Sequence, residues 1–151
     1  MFFLMRHGQA SWQAASDFER PLTAQGVESI KQLLLEHGAE LTKVNKIVCS
    51  PYLRTRQTAQ IVADYLAIET LIIEPDITPD NSVNEAVKAL ETHWCDHLLV
   101  ITHQPLIGNL VCFLEYGDVN LSEPVDVGSI YSYQLAWPGF GCAQRKSLFV
   151  V

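Results

Sequence analysis

The chain has 151 residues, 48% of them hydrophobic, which fits one globular domain over residues 1–151 with a hydrophobic core. Its formal net charge is -7 and its ten lysines and arginines are scattered, whereas nucleic-acid binding needs clustered cations, so no nucleic-acid partner is expected. No apolar run is long enough to cross a bilayer and no secretory signal is visible, so we expect a cytoplasmic protein with no membrane partner.

The first predicted elements are a strand, a loop and a helix. Residues 2–5 are bulky and apolar and predict a buried strand. Residues 9–21 have the composition of a loop and end in a proline. Thr23 has the position of an N-cap, and the helix that it begins runs to about Gly38, where a helix commonly stops. The residues predicted to face inward are Val27, Ile30, Leu33 and Leu34.

A short strand and a second helix follow. Residues 46–49 predict the strand. Ser50 then has the position of an N-cap, and Pro51 that of the first turn, for a helix that runs to about Leu66. The residues predicted to face inward are Ile61, Val62, Tyr65 and Leu66.

The rest of the chain repeats this alternation and then ends in two strands. The predicted elements are a strand at 71–73, a loop at 75–81, a helix capped by Ser82 with Val83, Ala86, Val87 and Leu90 inward, a strand at 98–102, a helix from Gln104 and Pro105 to about Tyr116, and strands at 129–136 and 143–151. We expect the last two strands to form a hairpin.

The order of the elements predicts the fold. Strands that alternate with helices are typical of a parallel sheet covered on both faces. We therefore expect an α/β fold, a three-layer α/β/α sandwich with a mostly parallel central sheet, to which the last two strands add an antiparallel edge. No segment is long enough to form a lid, so a minimal single domain without a lid insertion is predicted.

Chemically active side chains follow three of the predicted strands. His7 follows the first strand, with Arg6 beside it, and Ser50 and Arg54 follow the second. His103 follows the fourth. In an open α/β sheet, ligands bind beyond the carboxyl ends of the strands. We therefore expect these side chains to lie along one edge of the sheet, and to meet if their strands are neighbours.

Two guanidinium groups and two imidazoles favour a dianionic ligand of the phosphate type. The planar fork of an arginine matches phosphate oxygens. Arg54 is in the first turn of its predicted helix and His103 directly precedes another, so helix N-termini add N–H donors and partial positive charge. The sequence therefore predicts a phosphate pocket at this edge of the sheet.

The cysteines and the other histidines do not predict a metal or redox site. The four cysteines form no C-x-x-C pair, and we expect inert thiols in a reducing compartment. His37, His93 and His97 are interpreted as structural or solvated side chains. No ligand spacing suits zinc or magnesium, so we expect neither a metal nor another cofactor.

Three segments resemble the signature motifs of the histidine phosphatase superfamily, which includes phosphoglycerate mutases and acid phosphatases. They read LMRHGQAS, CSPYLRTRQTA and VITHQPLIG. The segments AASDFERPLTAQG and PDITP resemble its small bacterial phosphohistidine phosphatases. The resemblance implies a phosphoglycerate mutase-like fold and a metal-independent phosphatase.

The resemblance also implies roles for individual residues. His7 is expected to be the nucleophile that becomes phosphorylated. The groups expected to bind the phosphoryl group are those of Arg6, Gly8, Arg54, His103 and Gln104. We expect Gly8 to let the backbone approach closely, so that its carbonyl ties down the second nitrogen of His7. His103, if protonated, is expected to donate to the same phosphoryl group.

The general acid is the least defined part of the expected site. Many relatives place a glutamate after the third strand, and the best positional match here is Asp76, followed by Asp80 and Glu74. Asp17 is another candidate, because its loop is expected to overhang the pocket. Each of these carboxylates is also interpretable as a solvated loop residue.

The absence of a lid segment favours a protein substrate over a small one, since an uncovered pocket contacts little of a small ligand. We therefore expect hydrolysis of phosphohistidine on a signalling or phosphotransfer protein, by a monomeric enzyme. One alternative is a small phosphomonoesterase that acts on a metabolite or sugar phosphate. Another is a phosphate-binding module without turnover, although such a module needs no nucleophile.

Overall fold

A six-stranded sheet lies at the centre of the structure, a computed structural model that describes residues 1–150. Its strands are β1 (Phe2–Arg6), β2 (Lys46–Cys49), β3 (Leu71–Ile73), β4 (Leu98–Thr102), β5 (Ile130–Gln134) and β6 (Gln144–Phe149). The spatial order is β3-β2-β4-β1-β5-β6. The first four strands pair in parallel, while β5 is antiparallel to β1 and β6 is antiparallel to β5. The predicted parallel sheet with an antiparallel edge is confirmed.

Four α-helices cover the two faces of the sheet. They are α1 (Ala24–His37), α2 (Leu53–Leu66), α3 (Val83–His93) and α4 (Leu106–Tyr116). Successive side chains of β1 point to opposite faces. Phe3 and Met5 pack in the core under α1 and α2, whereas Phe2 and Leu4 pack in the core under α3 and α4. The predicted three-layer sandwich is therefore confirmed.

Over residues 1–150 no helix combines the length and the hydropathy of a membrane span.

Two of the predicted helix starts are correct. The side chain of Thr23 accepts a hydrogen bond from the backbone N–H of Gly26 at 2.9 Å. Ser82 and Glu85 form a reciprocal capping box, in which each side chain accepts from the other residue's backbone N–H. These caps fix where α1 and α3 begin relative to the sheet.

Two local predictions are wrong. Helix α2 begins at Leu53 after an N-cap residue, Tyr52, that makes no side-chain cap, so Ser50 does not cap it. Gly38 is the C-cap at which α1 ends, as predicted, and the chain continues from it into a 3₁₀ turn. A Cβ on Gly38 would lie 2.5 Å from the ring of Tyr65, so the glycine is needed for close packing. Tyr65 itself is 47% exposed, because it lies over this glycine at the surface instead of in the core.

All four cysteines are free thiols, as expected. Cys49 and Cys112 are buried, and burial raises the pKa of the Cys49 thiol to about 11. Burial also raises the pKa of the Cys112 thiol, so both buried thiols stay protonated at neutral pH.

Candidate active site

The register between β1 and β4 brings two histidines together. Arg6 pairs with Thr102 at the carboxyl ends of these parallel strands, and His7 and His103 are the next residues along each chain. Their ring centroids are 5.0 Å apart, and both side chains are buried. The expectation that the first and third motifs meet at one edge of the sheet is confirmed.

The hydrogen bonds of His7 define its tautomer. Nδ1 lies 2.7 Å from the carbonyl oxygen of Gly8, which only accepts, so Nδ1 carries the proton. Nε2 accepts a hydrogen bond from Nε of Arg54 at 3.2 Å. The ring is therefore neutral, with its Nε2 lone pair directed toward the arginine.

Gly8 is placed to make this bond. Its N–H donates to Oγ1 of Thr58 at 3.1 Å, which fixes the peptide. A Cβ at this position would lie 3.1 Å from Cγ1 of Ile30 and 3.2 Å from the carbonyl oxygen of Gly26. The absence of a side chain thus lets the backbone lie against α1, as the sequence predicts.

Burial and neighbouring cations keep both rings uncharged. Burial lowers the pKa of His7 from 6.5 to about 3; the Gly8 hydrogen bond partly opposes this, and Arg54, Arg6 and Arg20 lower it further. The pKa of His103 is lowered to about 2, mainly by burial and further by His7, Arg54 and Arg6. The expected protonated His103 therefore requires a negatively charged ligand in the pocket, which would raise its pKa.

Ser50 orients His103. Its hydroxyl lies 2.7 Å from Nε2 of His103, because the parallel register of β2 and β4 places the end of β2 beside the end of β4. The ring of Tyr52 packs edge-on against the ring of His103, with centroids 4.8 Å apart. Nδ1 of His103 is buried, with no hydrogen-bond partner within residues 1–150. The sequence predicts a helix cap at Ser50, and the polar contact to the third motif was not foreseen.

Arg54 is held at both of its edges. Its end edge donates from Nη1 to the backbone oxygen of Asp17 at 2.7 Å and from Nη2 to Oδ2 of the same residue at 3.1 Å. Its Nε, on the side edge, faces His7. A guanidinium bound end-on in this way leaves its side edge directed toward the histidine, where it can donate to an oxygen of a bound phosphoryl group. Arg54 is 4% exposed, so this orientation is also fixed by packing.

The loop between β1 and α1 forms one wall of the pocket. Nη1 of Arg20 donates to Oδ1 of Asp17 at 3.0 Å, and its guanidinium lies 3.6 Å from the ring centroid of Trp12. Trp12 is 84% exposed at the rim. The loop overhangs the site, as expected. Trp12 was not identified as a pocket residue from the sequence, although a large aromatic residue four positions after the glycine of the R-H-G motif is a signal for one.

Two further donors of the site are fixed by one backbone segment. Nη1 of Arg6 donates to the carbonyl oxygen of Val125, and Nε2 of Gln104 donates to that of Glu123 at 3.0 Å. Nε of Arg6 and Oε1 of Gln104 are buried and without a partner in residues 1–150. Burial lowers the pKa of Arg6; Asp126 opposes the shift and Arg54 adds to it. Nothing in the sequence indicates that residues 123–125 contribute to the site.

The candidate acids lie in different places. Asp17 lines the pocket, but Asp76 is exposed on the 3₁₀ turn Pro75–Ile77 and is not among the described residues that line it. Asp80 is likewise exposed and outside that lining. Glu74 contacts His93, with 2.7 Å between Oε2 and Nε2. Of the carboxylates weighed from the sequence, the structure brings Asp17 alone into the described pocket.

Asp17 is poorly suited to donate a proton. Partial burial raises the pKa of its carboxyl, but hydrogen bonds from Arg20 and Arg54 outweigh that effect and hold the pKa below its usual value. It is therefore an ionised carboxylate at neutral pH.

The pocket has a volume of about 400 Å³. Its lining includes Arg6, His7, Arg54 and Gln104, with Trp12, Pro79 and Val127. Of the residues predicted to bind the phosphoryl group, Gly8 and His103 are not part of this lining. Across residues 1–150, no three His, Cys, Asp or Glu side chains are grouped so that they could hold a metal ion. The arrangement as a whole places one neutral imidazole beside two guanidinium groups and a second imidazole.

Comparisons with known proteins agree with this geometry. The family model described as Histidine phosphatase superfamily (branch 1) matches residues 2–78. The chain is 34% identical over 120 residues to Phosphohistidine phosphatase SixA of Escherichia coli (strain K12), an alignment that covers 77% of this chain and 74% of that protein. It is 32% identical over 148 residues to Phosphohistidine phosphatase SixA homolog of Haemophilus influenzae, with 91% and 88% covered.

A solved structure shares the fold over nearly the whole chain. The structure of the protein histidine phosphatase SixA complexed with tungstate superimposes with a TM-score of 0.85. The two chains are 29% identical, and the match covers 98% of this chain and 95% of the other.

Proposed function

The chain belongs to the histidine phosphatase superfamily, and from this premise we propose that it is a phosphatase that removes phosphoryl groups from phosphohistidine on a protein. Both curated relatives carry the name phosphohistidine phosphatase, and their alignments cover most of this chain. The proposed nucleophile is His7, and the proposed phosphoryl-binding groups are those of Arg6, Gly8, Arg54, His103 and Gln104.

The tautomer of His7 is the observation that carries the proposal. With its proton on Nδ1 and bound to Gly8, the ring keeps a lone pair on Nε2 that faces Arg54. Its lowered pKa keeps this lone pair available at neutral pH. A module that only binds phosphate needs cations but has no use for a buried nucleophile, so this feature favours an enzyme.

The proposed reaction has two displacement steps at phosphorus. First, the Nε2 lone pair of His7 attacks phosphorus, the P–N bond of the substrate breaks, and the substrate imidazole leaves as a neutral ring when its other nitrogen carries a proton. Water then attacks the phosphoryl group on His7 and the new P–N bond breaks. The ring returns with its proton still on Nδ1, and the water's proton passes to phosphate or solvent.

Positive charge around phosphorus supplies the stabilisation that such steps need. Phosphoryl transfer depends mainly on positioning and on neutralising the equatorial oxygens. The donors available to bind those oxygens are the unpartnered Nε of Arg6 and the side edge of Arg54. A dianion bound beside them raises the pKa of His103, so that its ring becomes a further donor.

Two features support phosphohistidine over a phosphate ester. An imidazole protonated on its second nitrogen leaves without an enzymic acid. Of the acid candidates from the sequence, only Asp17 lies in the described pocket, and it is ionised. Within residues 1–150 the lining of the pocket contains no lid domain, and the loop that carries Trp12 forms one of its walls, which leaves room for a protein surface. Four free thiols fit a reducing compartment, in keeping with a cytoplasmic phosphoprotein as substrate.

The test compares substrates in the presence of EDTA. We expect kcat/KM on a protein phosphorylated at histidine to exceed that on sugar phosphates and aryl phosphates by orders of magnitude, with no loss of rate on chelation. A higher kcat/KM on the esters would replace the proposal by the small phosphomonoesterase. Loss of activity in EDTA, restored by a divalent metal, would contradict the metal-independent mechanism.

A further inference from the structure

Two side chains of the candidate site depend on the backbone of residues 123–125, a stretch that we call the carbonyl segment. Its Glu123 oxygen accepts from Nε2 of Gln104 at 3.0 Å, and its Val125 oxygen accepts from Nη1 of Arg6. Each bond fixes one end of a polar group whose other buried atom is unpartnered: Oε1 of Gln104 and Nε of Arg6. The position of the carbonyl segment therefore decides where both groups point.

The carbonyl segment lies directly on helix α4. The N–H of Glu123 donates to the carbonyl oxygen of Gly108 at 3.2 Å. A Cβ on Gly108 would collide with the carbonyl oxygen of Glu123, so only glycine allows this approach. This backbone contact holds one end of the segment against α4, and the side chain of Val125 is buried in the core at the other end.

The side chain of Glu123 ties the segment to two further elements. Its Oε1 accepts from the hydroxyl of Tyr131 on β5 at 2.8 Å. Its Oε2 accepts from Nη2 of Arg145 on β6 at 3.0 Å. The guanidinium of Arg145 also lies over the Tyr131 ring, 4.7 Å from its centroid. The carbonyl segment is thus tied to three elements by one residue.

We propose that Glu123 is a positioning residue of the active site, which holds the carbonyl segment so that Arg6 and Gln104 point at the phosphoryl group. The residue itself touches no reacting atom. Its effect passes through two backbone oxygens, one its own and one two residues further on. The proposal rests on the proposed function for the identity of the reaction, but the binding of phosphate tests it without turnover.

The chain contains a matched control. Glu115 on α4 makes the same pair of bonds, accepting at Oε1 from the Tyr133 hydroxyl at 2.8 Å and from Nε of Arg145 at 2.7 Å. Its side chain is even less exposed than that of Glu123, at 10% against 28%. Within the described structure it makes no direct hydrogen bond to the carbonyl segment, and its one link runs through Arg145, which binds both carboxylates. Removal of either carboxylate should lower the free energy of unfolding by a comparable amount. Only the removal of Glu123 should disturb the site.

The experiment compares Glu123→Ala with Glu115→Ala. Thermal unfolding gives the stability of each variant, and calorimetric titration with inorganic phosphate gives its affinity. We expect both variants to lower Tm, while only Glu123→Ala weakens phosphate binding, by about tenfold, the effect of one or two lost hydrogen bonds. In an Arg6→Ala background the additional effect of Glu123→Ala should shrink, because one of the two groups that Glu123 positions is then absent.

Two results would overturn the proposal. One is an equal loss of phosphate affinity in the Glu115 and Glu123 variants. The other is full additivity of the Glu123→Ala and Arg6→Ala effects. If the alanine variants do not fold, Glu123→Gln and Glu115→Gln provide the same comparison, since the amide keeps the volume and the bond from tyrosine. If the enzyme prefers esters, the proposed function fails while this comparison still decides the role of Glu123.

Discussion

The hydroxyl of Ser50 lies 2.7 Å from Nε2 of His103, so the residue that follows β2 orients the residue that follows the neighbouring strand β4. The ring is buried, and its plane is further restrained by the edge-on contact with Tyr52. A fixed ring loses no rotamer entropy when a ligand binds, which is how a preorganised site is built. The three motifs therefore form one rigid arrangement at the carboxyl edge of the sheet.

Replacement of His7, the proposed nucleophile, should abolish the reaction. His7→Ala is expected to remove turnover and the covalent intermediate while the protein stays folded, because a buried neutral ring on a strand end carries no ion pair. The measurement is an alkaline quench during turnover of a radiolabelled phosphoprotein, followed by localisation of the label. His37→Ala, at the far end of α1, is the control and should keep the wild-type rate. Label found on a residue other than His7 would refute the assignment.

Arg54 should not be replaceable by lysine. Its end edge is bound to Asp17 and its side edge faces His7, and one ammonium cannot satisfy both. We expect Arg54→Ala and Arg54→Lys each to lower kcat by about 100-fold to 1,000-fold, the loss typical of a donor that stabilises developing charge. Arg56→Ala is the control on the same helix, since Arg56 is exposed. Near-wild-type rates for Arg54→Lys would count against the two-edge geometry.

Substitution of Asp17 separates an anchor from a general acid. Since its pKa is lowered, we expect Asp17→Asn to lower the rate by about tenfold through a less well held Arg54, consistent with the loss of a charged hydrogen bond. The loss should be the same for substrates with good and with poor leaving groups. A loss confined to phosphate esters with poor leaving groups, with aryl phosphates unaffected, would show that Asp17 donates a proton.

Trp12 should discriminate protein substrates from small ones. It is 84% exposed and stacked on Arg20 at the pocket rim, a position that contacts a bound protein but little of a small ligand. We expect Trp12→Ala to raise KM for the phosphoprotein and to leave the hydrolysis of free phosphohistidine unchanged. Steady-state kinetics on both substrates provide the measurement. Equal changes in KM would instead place the indole among the phosphoryl-binding groups.

Stability should fall as the pH is lowered. Both pKa values are depressed in the folded state, to about 3 for His7 and about 2 for His103, against 6.5 ordinarily. Below pH 6.5 the unfolded chain therefore binds protons that the folded chain does not, and the free energy of unfolding decreases with a slope of up to about 1.4 kcal/mol per pH unit for each ring. Urea denaturation between pH 7 and 4 measures this slope. His103→Gln should reduce it, and an unchanged slope would contradict the lowered pKa of His103.

Much of the fold follows from local patterns. The apolar runs of β1 and β4 are long, and the caps at Thr23 and Ser82 have clear physical signals. The histidines could be predicted to meet, because parallel neighbours share a carboxyl edge. Helix α2 was placed too early, since Ser50 fits a cap by sequence while its hydroxyl is used across strands.

The parts of the site that escaped prediction depend on long-range contacts. Backbone carbonyls carry no residue signature, so the roles of Glu123 and Val125 as acceptors are invisible without coordinates. The ionised state of Asp17 likewise depends on two arginines brought to it by folding, one of them 37 positions away. Sequence motifs locate the chemical groups, and tertiary packing decides how each is oriented.

The positions of β3 and β6 in the sheet have a consequence for self-association. They are its two borders, and exposed borders tend to recruit strands from other molecules. Here β3 has only three residues, while β6 carries Arg145 and Lys146 and has an irregular register opposite Ser132 and Tyr133. Short length, charge and a bulge each discourage the addition of a strand from another molecule. The carboxyl edge of the sheet, where the histidines lie, is then not covered by a second copy through strand pairing.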